Sequence, residues 1–405
     1  MTRVNSNDRM ARPYSARRPL TRPVRKEREP EQIVAVGAMD YTIYLVVVLL
    51  TLIGVVMVFS ASYVQASNRA VFGNDAFFFL RRNGLMALGG FIVMNVMANV
   101  SYEHIRRFAP LIYAVTIGLL VAVMIIGFAS HGAQRWINIP GIDMQFQPSE
   151  IAKAATIFML AYMIDKAPKS LHTWKGLFFH MGVLGLITVL VLRGGFSSGL
   201  IVAVIGFGMI FIASPYVWRF IIGGGVGAAA VVGYLWLDAT FGEGFRGARF
   251  RAWINPWDYP DTRGFQVIQS LYAIASGGPF GLGIGQSRQA TFVPEAHHDI
   301  IFAIIVEELG LIGAAMILML FGVLIWRGIK VALNAHSNFA AMTAIGIVLA
   351  FAFQALINIA VVTNTIPNTG VTLPFISYGG TSLMVSMGLA GVLLNISRYT
   401  KSRDR

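Results

Sequence analysis

Cysteine is absent from all 405 residues, so no disulfide, thiolate nucleophile or thiolate-held metal is available, and no redox compartment can be read from the chain. Charge is scarce as well. Asp, Glu, Lys and Arg make up 13% of the residues, against roughly a quarter in an ordinary soluble domain, so most of the chain has no water to face. Acid is the scarcer sign: 19 Asp and Glu stand against 32 Lys and Arg, a net charge of +13. The first 40 residues are polar and Arg-rich, without the short apolar stretch and small-residue cleavage site of a secretion signal, so no cleavable signal is expected there. An internal repeat of the inverted kind is also missing, which weighs against a secondary transporter.

What fills the chain instead is apolar, at 56% of residues. Runs of about 17 to 25 such residues recur from Tyr41 to Ile396, each long enough to cross roughly 30 Å of hydrocarbon. They predict an all-α polytopic membrane protein with ten transmembrane helices, over 41–60, 84–100, 109–129, 150–164, 179–192, 199–214, 219–237, 299–326, 340–362 and 380–397. A large extracytoplasmic loop, 238–298, separates the seventh from the eighth. An even count puts both termini on one side. If that side is the cytoplasm, 21 Lys and Arg fall inside and 10 outside, five of the latter in the long loop that the charge rule weighs least. A bacterial cytoplasmic (inner) membrane with both termini cytoplasmic is therefore expected. In such a chain the positive balance reads as topology and attraction to anionic membrane lipids, with no nucleic acid as partner. Residues 1–38, with Arg12-Pro13, Arg22-Pro23 and a mixed-charge Lys26–Glu31 run, read as a disordered basic cytoplasmic tail. The membrane domain then covers 39–398, and 399–405 is a short cytoplasmic C-terminal tail.

Polar residues at membrane depth are costly, which makes them the place to look for chemistry. Three clusters lie on or near the outer face. In the first, Gly132–Ile137 contains Arg135, and Gln147–Lys153 follows. Pro148 suits a helix start with Ser149 as a cap, and Glu150 and Lys153 lie three residues apart, either as an ion pair anchoring the helix end or as one facing a polar cavity. The second is the long loop, with Arg246, Arg249 and Arg251 and then Asn255-Pro256-Trp257. Phe265, Ile268, Tyr272 and Ala275 recur at helical spacing with Gln266 and Gln269 opposite, predicting a helix at the interface. Gly277-Gly278 and Gly281–Gly285 follow; with no strand before them, a tight re-entrant turn fits better than a phosphate loop.

The third cluster is Pro294–Asp299, directly before the eighth span. Asp299 at a helix N-terminus reads either as a plain cap or as a carboxylate able to act as general base. Glu295, His297 and His298 could assemble a metal site, though their spacing matches no ligand pattern. Glu307 and Glu308 fall within the span, where neither can face lipid cheaply; Glu307 is turned about 80° from Asp299 on an ideal helix. The uncharged stretch Thr372–Ser382, with Ser377 in it, reads as a non-helical segment packed in protein or lining a cavity.

Together these motifs resemble the SEDS family of bacterial membrane glycosyltransferases, the FtsW, RodA and SpoVE group. The matching stretches are Ser60-Ala61-Ser62, Gly132–Ile137, Gln147–Lys153, Asn255-Pro256-Trp257, Gly264–Gly285, Pro294–Gly310 and Gly370–Ser382, so the resemblance runs from about Asp40 to Arg398. Ser60-Ala61-Ser62 and the basic extension look more like FtsW or SpoVE than RodA. The resemblance implies an enzyme that polymerises lipid II, an undecaprenyl-diphosphate-linked disaccharide-pentapeptide, through β-1,4 transfer with release of undecaprenyl diphosphate, in cell division. Asp299 falls on the family's essential aspartate, the base for the acceptor hydroxyl. Glu150 and Lys153 match its central cavity. Arg135, Arg246, Arg249 and Arg251 are candidates for the diphosphate, and Glu295, His297 and Ser377 join the expected substrate-binding set. A divalent cation, Mg or Mn, would suit the leaving group, but no dedicated site is visible. Partners implied are a class B penicillin-binding protein transpeptidase and other divisome proteins. Where the family has an acidic Pro-Asp-Phe/Leu-Gly-Thr type run after span five, this chain reads Arg193-Gly194-Gly195-Phe196-Ser197-Ser198, and His298 replaces a commoner Thr or Asn. Two competing readings are a flippase for the lipid-linked precursor and a scaffold impaired in catalysis.

Overall fold

The structure is a computed structural model that describes residues 37–130, 133–138, 145–223, 225, 229, 232–233, 251–262, 264–293 and 295–399. Among the described residues nine helices of 18 residues or more form a bundle. They are α1 (Tyr41–Asn68), α2 (Phe78–Asn99), α3 (Tyr102–Ile126), α4 (Pro148–Lys166), α5 (Trp174–Gly194) and α6 (Phe196–Ala213). After a shorter α7 (Phe265–Gly277) come α8 (Ile301–Leu333), α9 (Asn338–Val362) and α10 (Gly380–Arg398). Nine of the ten expected spans thus carry a long helix, and the all-α polytopic class stands. The remaining one, 219–237, falls mostly outside the described residues, as do 1–36, part of the 238–298 loop and 400–405.

Seven of the nine, all but α2 and α4, are long and apolar enough to cross a membrane by length and composition. α4 carries Glu150, Lys153, Asp165 and Lys166. It is shielded by protein on most sides, packing against α3, α5, α6 and α9, and Ala152, Ala155, Ile157, Leu160 and Ala161 are buried in those contacts. A charged helix survives at membrane depth in such a setting, where its polar groups meet protein and not lipid. α2 packs along α10 through small residues: a Cβ at Gly391 would lie 2.3 Å from the Met94 carbonyl oxygen. Close backbone approach of this kind is how helices associate where hydrocarbon removes the hydrophobic drive.

Two features depart from the sequence expectation. The third helix starts earlier, at Tyr102, where the Ser101 hydroxyl accepts from the Glu103 amide at 3.3 Å. It ends at Ile126, because 128–146 turns into a small antiparallel sheet of order β1 (Phe128–Ser130), β2 (Ala133–Asn138) and β3 (Gln145–Phe146). Ala129 pairs with Gln134 and Ile137 with Phe146.

The second departure is a break in α8. Gly310 adopts φ 68° and ψ −170°, which splits the helix into an outer piece and a membrane-deep piece. The backbone groups released there are taken up by the glycine-rich turn after α7. Leu282 and Gly283 amides donate to the Glu307 and Glu308 carbonyls at 2.9 Å each, and Leu311 and Ile312 amides donate to Gly278 and Pro279 carbonyls at 2.9 and 3.2 Å. Non-helical backbone at this depth is tolerated when every group finds such a partner. A Cβ on Gly281 would lie 2.1 Å from the Glu308 carbonyl oxygen, so the joint needs glycine on both sides.

The helix expected from Phe265, Ile268, Tyr272 and Ala275 exists as α7, but its buried face is rotated. Val267, Ile268, Ser270, Ala273 and Gly277 are covered, while Tyr272 is exposed and stacks near Trp257. Small side chains let α7 lie close on α8, and that contact decides the face.

Candidate functional site

Asp299 lies in the turn that leads into α8. The turn closes with the His298 amide donating to the Glu295 carbonyl at 2.9 Å, Glu295 standing in the left-handed region at φ 57°. The cap position of α8 belongs to Ile300, which supplies no side-chain cap, and Asp299 stands one residue before it. Gln147 holds the cap position of α4, and the Ser149 hydroxyl instead accepts from the Gln147 side-chain Nε2 at 2.9 Å.

Three amides from distant parts of the chain shape the surroundings of Asp299. Gln266, in the first turn of α7, donates from Nε2 to Asp299 Oδ1 at 3.2 Å. Asn368 donates to Gln266 Oε1 at 2.7 Å and accepts from the Gly370 amide at 3.2 Å. Asn358, buried on α9, donates to both the Asp299 and Val371 carbonyls, at 2.6 and 2.7 Å, and so fastens the turn to the 370–379 segment. The segment is fastened a second time by the Tyr378 amide on the His297 carbonyl at 3.0 Å. Gly370 has φ 68°, and a Cβ there would stand 3.7 Å from Asp299 Oδ2.

Gly370 and His298 belong to the wall of a cleft between α4, α6, α9 and the 370–382 segment, with Trp136, Glu150, Ser198 and Gln354 among its other lining residues. Glu150 and Lys153 form an ion pair at 2.7 Å with side chains only 9% and 4% exposed. The structure therefore brings Glu150, its partner Lys153, His298 and the Asp299 turn to one cleft. Two charges this deeply buried have lost most of their hydration, and their mutual contact is what makes the burial tolerable.

Other expected residues are placed elsewhere. His297 is buried against Phe79 and Tyr378, with ring centroids at 4.3 and 5.2 Å, and burial, reinforced by the nearby charges of His298 and Arg69, pushes its pKa down to about 3. Ser377 is buried and its hydroxyl accepts from the Leu373 amide at 2.8 Å, bracing its own loop. Glu295 is exposed. Arg251 is half-buried in the helical residues 251–254, where the Trp253 indole donates to the Asn364 carbonyl at 3.0 Å. Arg135 lies on β2 beside Trp136; its side chain, and the whole of Arg246 and Arg249, fall outside the described residues. The unusual 193–198 stretch is a junction of two helices at Gly195: Arg193 is exposed at the end of α5, and in the first turn of α6 the Ser197 hydroxyl donates to the Thr369 carbonyl and Ser198 lines the cleft.

Glu307 and Glu308 find hydroxyl and backbone partners. Ser60 donates to Glu308 at 2.7 Å, and the Ser287 hydroxyl and Arg288 amide donate to Glu307 at 2.5 and 3.1 Å. Both acids thus pin the 285–288 turn to the broken helix. Among the described residues no group of three His, Asp or Glu could hold a metal ion, so the Glu295, His297 and His298 metal reading finds no geometry and no step is routed through a metal.

Residues that sequence reasoning passed over are Gln266, Asn368, Asn358 and Gln354. Only Gln266 left a signal, as one of two glutamines, with Gln269, opposite the apolar residues of the predicted interface helix.

The bundle of long apolar helices, with its broken α8, defines a multi-pass membrane protein. Residues 40–402 match the cell cycle protein family of FtsW, RodA and SpoVE, and the chain belongs to that family. It is 40% identical over 367 residues to a protein of Geobacter sp. (strain M18) named probable peptidoglycan glycosyltransferase FtsW, covering 89% of this chain and 97% of that one. It is also 40% identical over 369 residues to stage V sporulation protein E of Bacillus subtilis (strain 168), covering 89% and 98%. Its fold resembles a chain from a solved peptidoglycan synthase complex that coordinates polymerization and crosslinking, with TM-score 0.73 at 24% identity over 89% of this chain and 98% of that one. It also resembles Thermus thermophilus rod shape determining protein RodA, with TM-score 0.63 at 23% identity over 90% and 98%.

Proposed function

We propose that this chain is a membrane-embedded peptidoglycan glycosyltransferase that polymerises lipid II, with a role in cell division. The observation that carries the reading is Asp299, a half-buried carboxylate with one oxygen held by Gln266 and the other beside Gly370 at the cleft wall. In the reaction, Asp299 takes the proton of the acceptor's 4-hydroxyl. The oxygen forms its bond to the donor's anomeric carbon as the bond to the diphosphate breaks, and undecaprenyl diphosphate leaves with the electron pair. Charge developing on the leaving group calls for guanidinium groups, which match phosphate oxygens in pairs; Arg251 with Arg135, Arg246 and Arg249 are assigned that work. Glu150 and Lys153 orient substrate inside the cleft, with Glu295 at its outer approach. His297, neutral and caged, and Ser377, turned into its own loop, serve the site by shaping its wall.

The protein sits in the bacterial cytoplasmic membrane with both termini in the cytoplasm, 39–398 forming the membrane domain between the 1–38 and 399–405 tails. The bilayer delivers the lipid tail of the substrate, and membrane lipids neutralise the excess positive charge. A class B penicillin-binding protein transpeptidase is its partner, working among other divisome proteins. A flippase would need its charges near mid-bilayer, whereas Asp299 stands ahead of α8 and the Arg246, Arg249 and Arg251 cluster belongs to the long outer loop. The test is polymerisation of labelled lipid II by the full-length protein with its partner, wild type beside Asp299→Ala. Polymer from the wild type alone is expected. Equal polymer from both removes the catalytic assignment; transfer of lipid II across vesicles without polymer from either favours the flippase, and neither activity favours the scaffold.

A further inference from the structure

We propose that Gln266 and Asn368 form a positioning relay that aims the Asp299 carboxylate, an inference that rests on Asp299 being the base. The relay has a defined polarity. A backbone N–H can only donate, so the Gly370 amide at 3.2 Å fixes Asn368 with its oxygen toward Gly370. The Asn368 NH₂ must then face Gln266, which it meets at 2.7 Å on Oε1. Gln266 is left with its NH₂ turned to Asp299 Oδ1 at 3.2 Å. At the far end an ionised carboxylate can only accept, so donor and acceptor roles agree along the whole chain. The usual ambiguity of amide orientation is removed at both ends.

The relay is mounted on rigid parts. Gln266 sits one residue before Val267 and Ile268, which are buried on the face of α7 packed against α8. The far end of α7 is locked into the α8 break by four backbone hydrogen bonds. A donor on one carboxylate oxygen orients the group and leaves the second oxygen, beside Gly370, directed to the cleft side. Among the described residues, the ionisable groups near it include Glu295, His297 and His298 on its own turn and the Glu150–Lys153 pair on α4 across the cleft. α7, α9 and the 364–379 segment meet it with the amides Gln266, Asn358 and Asn368.

The experiment uses the full-length chain in nanodiscs. Infrared titration follows the Asp299 carboxyl, identified by the band that Asp299→Asn removes. In Gln266→Leu the midpoint should rise by about one pH unit, as expected for losing a hydrogen bond to a charged acceptor. In parallel, lipid II polymerisation with the partner present should show kcat down about tenfold to a hundredfold with KM within about twofold. Asn368→Asp places an acceptor against Gln266, turning its oxygen onto Asp299. It should lower kcat in the wild-type background and add nothing in Gln266→Leu. A midpoint unchanged in Gln266→Leu overturns the relay, as does a fall in kcat that is additive between the two positions. If Asp299→Asn polymerises like the wild type, the catalytic reading itself fails; if Asp299→Asn is inactive while Gln266→Leu keeps its kcat and midpoint, only the relay fails.

Discussion

The break in α8 gives the sharpest mechanical prediction. Gly310→Ala puts a Cβ 2.4 Å from the Gly281 nitrogen, 2.5 Å from the Pro279 oxygen and 2.6 Å from the Phe280 carbon, all backbone atoms that cannot swing aside. Its φ of 68° with ψ −170° lies where only glycine is at ease, so the backbone strain alone costs about 1–3 kcal/mol. Relief requires the turn to withdraw from α8. Losing two of the four hydrogen bonds that join Gly278, Pro279, Leu282 and Gly283 to the break adds about 1–3 kcal/mol. The sum is about 2–6 kcal/mol, a fall in melting temperature on the order of 5 °C or more. The matched control is Gly322→Ala on the same helix, where a Cβ meets nothing within 4 Å. The assay is thermal unfolding of the full-length chain in one detergent, with hydrogen exchange of the Leu282, Gly283, Leu311 and Ile312 amides as a local readout. Gly310→Ala melting with Gly322→Ala, and with those amides still protected, would refute the reasoning.

His297 should make the protein sensitive to acid. Its folded pKa is lowered to about 3 while the unfolded chain titrates near 6.5, so below pH 6.5 protons bind the unfolded state preferentially and stability falls with pH down to about 3. The loss at pH 5 is about 2 kcal/mol, and His297→Phe should flatten the melting temperature between pH 7.5 and 5; an unchanged slope counts against the buried neutral imidazole. Lys153→Met strands the Glu150 carboxylate and should cost about 3–5 kcal/mol. Adding Glu150→Gln should recover most of the melting temperature but not polymerisation, and a single variant as stable as wild type would show the pair to be solvated. Asn358→Leu leaves the Asp299 and Val371 carbonyls unpaired, costing about 1–3 kcal/mol each way it cannot relax. Melting and lipid II polymerisation should fall together, and wild-type values in both would remove its clamping role.

Much of this architecture is legible because the chain is so apolar. Against that background Asp299, Glu150 and Lys153 stand out, and each is found near the polar cleft or paired beside it. Long hydrophobic runs gave α1, α5, α6, α9 and α10 to within a few residues at most ends, although α1 continues to Asn68. The uncharged 372–379 segment was readable for the same reason, since no helix follows that composition with Pro374 and Gly379 in it. The amides were not readable. Gln266 lies 33 residues from Asp299, Asn368 lies 102 from Gln266, and Asn358 lies 59 from Asp299, so only the fold joins them. The rotation of α7 escaped notice because its buried face is built of Ser270, Ala273 and Gly277, residues that carry little hydrophobic signal. Gly310 follows Glu307-Glu308-Leu309 inside one long span, where a glycine looks like any small helical residue. The sheet over 128–146 consists of strands of two to six residues, too short for an alternation to be recognised.

The central claim is that Asp299 is the base for the acceptor hydroxyl, and the most direct measurement is a structure of the full-length chain with lipid II trapped by Asp299→Asn. The account predicts the acceptor's 4-hydroxyl within about 2.6–3.2 Å of the side chain at position 299, on the Gly370 side. A bound substrate whose sugar lies away from that side chain, with another ionisable group at the hydroxyl, would contradict it.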